Sequence, residues 1–130
     1  MKNIQEIQTI LNHANGTEQY HYVSQVPNAP VVTDGIYALA EATECFWLFD
    51  AIISYQGDKR LTDPDFQVWK LTVIETDELR SATLESFDQD KKVIIKQVIE
   101  NTDFPLDEIT IWVLSGGPHG LRVIMLPSEY

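Results

Sequence analysis

The second half of the chain is cut into short runs by connections too brief for anything but a reversal of direction. FQVWKLTVI (66–74), SATLESF (81–87), VIIKQVI (93–99), EITIWVL (108–114) and LRVIML (121–126) are rich in β-branched and aromatic residues. Between them stand TDE, DQDKK, NTDFPLD and SGGPHG, whose residues favour turns. A parallel crossover needs about a dozen residues or more, so runs joined this closely pair antiparallel. The expectation is a four- to five-stranded antiparallel β-meander.

The first half has a helical texture. Ile4, Ile7, Leu11 and Ala14 recur at helical spacing, with Ile10 alongside, which predicts a short helix over 3–13 ended by Asn15-Gly16. HYVSQVPNAPVV has two prolines and no period and reads as an extended connection. Thr33-Asp34-Gly35 reads as a helix start, with Thr33 or Asp34 capping free amides. From Ile36 to Tyr55 there is neither Gly nor Pro, and the spacing predicts one helix of about five turns. Ile36, Leu39, Phe46, Phe49 and Ile53 form its stripe, opposed by Glu41 and Glu44 in the first half and by Trp47, Leu48, Ala51 and Ile52 in the second. A helix apolar all round is buried on several sides. The fold class is therefore α+β, with one short and one long N-terminal helix packed on one face of the meander.

A chain of 130 residues has room for one domain and buries about two thirds of its unfolded surface without metal or disulfide support. It carries 20 acids against 9 bases, a net charge of −11, which disfavours nucleic acid and anionic membranes as partners. That charge suits solubility, basic partner proteins or mimicry of a nucleic acid. Cys45 is the sole cysteine, so an internal disulfide is impossible. The opening MKNIQEIQTILNHANG lacks the apolar core of a signal peptide, and no apolar run approaches the ~18–20 residues that span a bilayer. A soluble, cytoplasmic protein is expected.

Within ATECFWLFDAII (42–53), Asp50 is the acid in otherwise apolar company. Buried there it would have a raised pKa, as a general base or acid requires, or would accept hydrogen bonds from Trp47, Ser54, a tyrosine or loop amides and fix the helix in place. His13, His21 and His119 have no partner at metal-ligand spacing and read as surface or capping residues, so neither metal nor cofactor is expected. SGGPHG joins two strands, so its glycines serve a turn and not a phosphate cradle. Mid-helix, Cys45 reads as inert. Trp47, Tyr55, Phe66, Trp69, Phe104 and Trp112 read as core, with Trp69 and Trp112 able to face each other. In NTDFPLDE, Asp103 and Asp107 are expected to fold the connection through local side-chain bonds, while Phe104 and Leu106 pin it to the core.

Several blocks resemble a family of small bacterial proteins known only as a domain of unknown function. They are TDGIYALAE, WLFDAIISYQ, FQVWKL, TDFPLDEITIWVL and the terminal LPSEY, and the likeness runs from about Gly16 to Tyr130. That resemblance implies a shared fold and no assigned activity. Its polar positions Asp50, Tyr55, Gln56, Asp103 and Glu129, with Trp47, are expected to gather near the helix end as a binding cluster. The function expected is a small acidic binding or adaptor protein, its partner a protein or a second copy of itself. The alternatives are an enzyme using Asp50 with Tyr55 or Glu129, and an acidic inhibitor whose acids of 75–108 line one face.

Overall fold

The protein is described from a computed structural model covering residues 2–130. It is an α+β fold with three helices on one face of a seven-stranded mixed sheet. Helix α1 spans Ile4–His13, α2 Asp34–Thr43 and α3 Phe46–Ser54. The strands are β1 (Tyr20–His21), β2 (Val31–Thr33), β3 (Phe66–Thr76), β4 (Leu79–Phe87), β5 (Val93–Ile99), β6 (Glu108–Leu114) and β7 (Val123–Met125). All five strands expected from composition form, within two residues of their predicted bounds or, for the last, as a shorter core of the run.

Their arrangement corrects the meander. The order is β1-β2-β7-β6-β3-β4-β5, so β6 returns past β4 to pair with β3 instead of following β5. Two further strands, β1 and β2, come from a segment expected to be connection only. β2 runs parallel to β7, which is possible because nearly the whole chain separates them. The β5–β6 connection must cross two strands, about 14 Å at 4.8 Å per spacing. This explains NTDFPLD. Phe104 and Leu106 anchor it to the core as expected, but Asp103 and Asp107 do not fold it through their side chains. Arg80 Nη2 instead donates to the Phe104 carbonyl at 2.6 Å, and Thr102 Oγ1 accepts from the Phe104 amide at 3.1 Å.

The long helix is two helices. Glu44 takes a left-handed conformation (φ 56°, ψ 38°), α2 stops, and α3 starts after Cys45. Of the predicted stripe beyond the break, Phe49 and Ile53 stay on the buried face and Phe46 does not. Phe46 is surface-exposed, and Leu48, Phe49, Ile52 and Ile53 are the buried face of α3. The two parts then do different jobs: α2 packs on α1 and over β1, β2 and β7, while α3 reaches the core over β3–β5. Thr33 caps α2 through its hydroxyl, which accepts from the Ile36 amide at 3.3 Å.

Strand alternation sorts the two sheet faces. Trp69, Leu71, Leu84, Ile95, Ile111 and Val113 point to the helices and are buried. Trp112 pairs with Val68 and Trp69 with Ile111, so the two tryptophans lie on opposite faces instead of facing each other. No helix covers the other face, where Phe66 is exposed and Trp112 half-buried.

Candidate functional site

Asp50 is not the buried acid its neighbours suggested. With Leu48, Phe49, Ile52 and Ile53 turned inward, position 50 of α3 faces solvent, and Asp50 is exposed. It makes no hydrogen bond among the described residues, so it neither fixes the helix nor sits desolvated among aromatics. The apolar composition of 42–53 hid this because the apolar neighbours of Asp50 in sequence point inward from other sides of the same helix.

The other predicted site residues divide among three places. Glu129 closes the C-terminus onto the start of α2: its Oε1 accepts from Thr33 Oγ1 at 2.6 Å and from the Leu126 amide at 3.0 Å, and its Oε2 from the Gly35 amide at 3.1 Å. An anion suits that position at a helix N-terminus. Ser128 donates to the Ala14 carbonyl at the end of α1, so the last residues tie both helices down. All of Glu129's visible bonding is structural.

Gln56 belongs to a buried amide lattice. Gln56 and Gln67 bond to each other twice, Nε2 to Oε1 at 3.0 and 2.8 Å. Gln67 Nε2 also donates to the Pro64 carbonyl, Trp69 Nε1 donates to Gln67 Oε1 at 2.8 Å, and Arg122 Nη1 donates to Gln56 Oε1 at 3.2 Å. Every donor and acceptor of Gln67 is used at 2% exposure, as a buried amide requires. The lattice holds the loop 57–65 and the first residues of β3 to the end of α3.

The third place gathers Trp47 and Asp103, with Tyr55 beside them. An open groove of about 780 Å³ lies between α3, the tip of the β3–β4 hairpin, the end of β5 and the crossing connection. Trp47, Ala51, Leu79 and Ile99 give it apolar walls; Glu78, Arg80, Gln97, Asn101, Thr102 and Asp103 supply polar groups. Tyr55 reaches its edge by donating to Gln97 Oε1 at 2.7 Å while its ring lies against Trp69 at 5.6 Å. Arg80 is held by Glu75 Oε2 at 3.0 Å and the Phe104 carbonyl, which leaves the carboxylates of Glu78 and Asp103 to set the sign of the groove. Gln97, Arg80 and Leu79 were not singled out in the sequence, because only strand order brings β5 and the hairpin tip beneath Trp47.

Beside the groove runs β5, a seven-residue strand that among the described residues pairs with β4 alone. Its outer edge presents the backbone N–H and C=O groups of alternate residues to solvent. Val98 on this strand is 62% exposed. The opposite edge strand, β1, has only two residues.

Elsewhere the titratable groups serve local structure. Asp34 accepts from the amides of Glu18 and Gln19 and contacts His21 Nε2 at 2.8 Å. The bond from His21, then that from Glu18, holds its carboxyl below the usual range. Arg60 bonding holds Asp58 down to about 2. Burial pushes the Cys45 thiol up to about 11, which keeps it protonated and unreactive. Among the described residues no group of three or more His, Cys, Asp or Glu is placed to hold a metal ion, and no helix is long and apolar enough to cross a membrane. The ten acids of 75–108 are dispersed over the hairpin tip (Glu75, Asp77, Glu78), the far β4–β5 turn (Asp88, Asp90), the β5–β6 connection (Glu100, Asp103, Asp107) and strands β4 and β6 (Glu85, Glu108).

A family model described as "Family of unknown function (DUF6876)" matches residues 5–130, and the chain belongs to that family. No curated protein and no solved structure matches it.

Proposed function

We propose that this member of the DUF6876 family is a protein-binding module that takes an extended segment of a partner polypeptide as an added strand on β5. The observation that carries this reading is the juxtaposition of a seven-residue unpaired edge with a groove walled by Trp47. A strand added to β5 turns every second side chain toward the helix-bearing face, where the groove lies, and the backbone edge supplies register. Recognition then divides in two. Main-chain bonds hold any extended peptide; an apolar side chain against Trp47, Ala51 and Ile99, with a Lys or Arg meeting Glu78 and Asp103, gives choice.

Three or four added backbone bonds at about 0.5–1.5 kcal/mol each, plus one buried apolar side chain, correspond to dissociation constants in the micromolar range. That strength suits reversible assembly. A protein partner agrees with the net charge of −11, which opposes nucleic acid and anionic lipid. A cytoplasmic setting fits Cys45 as a lone, buried thiol.

Selection from a displayed library of linear peptides tests this. Enriched sequences should alternate apolar and other residues and carry a Lys or Arg. Titrating one of them should move the Trp47 indole resonance and alternate β5 amides, and Trp47→Ala should weaken it at least tenfold. Enriched peptides that perturb neither Trp47 nor β5, or no enrichment at all, would sink the reading.

A further inference from the structure

The helix-free face of the sheet presents a second surface, independent of the β5 edge. We infer that this face is a homodimer interface in which two copies pack sheet against sheet about a two-fold axis parallel to the strands, between β3 and β4. The pattern of side chains across it is the reason.

On this face, Lys70 of β3 stands opposite Glu85 of β4, and Lys96 of β5 stands beyond Glu85. Thr110 of β6 is on the other side of Lys70, and Glu108, one step along β6, reaches Lys70 Nζ at 3.3 Å. The two central strands therefore carry opposite charges at the same height. A two-fold rotation about the line between them exchanges β3 with β4 in the facing copy. Lys70 then lies over the partner copy's Glu85, and Glu85 over its Lys70, while Lys96 approaches the Thr110 and Glu108 side. An axis lying on β4 itself would set Glu85 over Glu85 and Lys70 over Lys96, and one on β3 would set Lys70 over Lys70, so the charges disfavour both.

The apolar rows obey the same operation. At the next height Trp112, Val68, Phe87 and Val93 run across β6, β3, β4 and β5. Rotation places Val68 over Phe87 and Trp112 over Val93, so apolar meets apolar along this row. Thr72 and Thr83, one row on the other side of the charges, exchange with each other. A closed interface of this kind is self-complementary, as two-fold symmetry demands.

Area supports a second copy over a small ligand. Five strands at about 4.8 Å spacing and eight steps of about 3.3 Å along β3 outline roughly 500 Å² in plan. With protruding side chains this approaches the ~800 Å² per partner of a standard interface. Sheets packed face to face lie about 10 Å apart. Phe66, 43% exposed, and Tyr130, 79% exposed, flank Trp112 at 5.3 and 5.8 Å between ring centres and would lie at the rim.

Sedimentation equilibrium on the full chain, with charge exchange, decides the matter. Wild type should dimerise at about 100 μM or below, the range reached by interfaces of this size. Lys70→Glu and Glu85→Lys should each weaken self-association at least tenfold, because each sets like charges face to face twice. An equimolar mixture of the two variants should recover a heterodimer close to wild-type strength, since every facing pair is then opposite. A folding defect in one variant cannot yield that recovery, and circular dichroism of each variant checks it separately. A monomeric wild type at that concentration, dimers indifferent to both single changes, or a mixture no stronger than its components would overturn the inference.

Discussion

Gln67 carries more consequence than any acid in the chain. Among the described residues its side chain is the only link between Trp69 Nε1, the Pro64 carbonyl and Gln56, and it is buried. Gln67→Ala strands the tryptophan N–H and that carbonyl, each at a cost of about 1–3 kcal/mol. Urea unfolding should therefore report a loss of about 2–4 kcal/mol; a loss under about 1 kcal/mol would mean that water replaces the lattice. Gln56 drew notice in the sequence as part of SYQ, whereas Gln67 did not, although its place between Phe66 and Val68 in a strand already implied burial by alternation. Asp50 drew notice for the opposite reason. Its neighbours are apolar in sequence, but a helix separates adjacent residues by about 100°, so sequence company says little about spatial company. Only the phase of α3, set by its new start after Cys45, decides that Asp50 faces water.

Among the elements, the clasp between α2 and the last residues is the tightest joint. A Cβ on Gly35 would meet the Glu129 carboxyl at 2.8 Å, and that carboxylate is pinned by three donors. Gly35→Ala should thus cost about 2 kcal/mol, although Ala is ordinarily better than Gly inside a helix by about 1 kcal/mol. In a Glu129→Ala background the obstruction is gone, and the same Gly35→Ala change should become neutral or stabilising. The test is a double-mutant cycle by thermal or urea unfolding. Additive effects would refute the clasp. The start of α2 was readable in Thr33-Asp34-Gly35 because capping is local. Its partner was not, since 94 residues separate Gly35 from Glu129. The end of α2 was equally hidden: the chain turns at Glu44, a left-handed residue with no Gly, Asn or Pro to announce it. Similarly, the two-residue β1 and three-residue β2 are too short to show a period.

For the molecule as a whole, charge and shape act together. A net −11 spread over a small domain repels itself, and the 9 bases are drawn mainly into local pairs such as Arg80–Glu75 and Lys70–Glu108. Screening should stabilise the fold. Raising NaCl from about 0.01 to about 0.3 M should lift Tm by roughly 2–4 °C, measured at a protein concentration too low for copies to associate. A fall in Tm would show that the surface ion pairs outweigh the general repulsion. Both proposed binding surfaces also belong to this scale. The β5 edge is free because β6 pairs with β3, and the helix-free face exists because all three helices lie on the same side.

Taken alone, the sequence determined that this is an α+β chain with one short helix, helix after Thr33 and four to five strands at stated places. Those are local properties, written in periodicity, capping and turn chemistry within a few residues. It also determined that the β5–β6 connection is pinned by Phe104 and Leu106. Tertiary structure decided the strand order, the parallel β2–β7 pair, the break at Glu44, the two faces that separate Trp69 from Trp112, and the groove beneath Trp47. Each of these depends on which of several equally well-patterned surfaces meet. That choice is made by burial summed over the whole core, not by any one segment's preference.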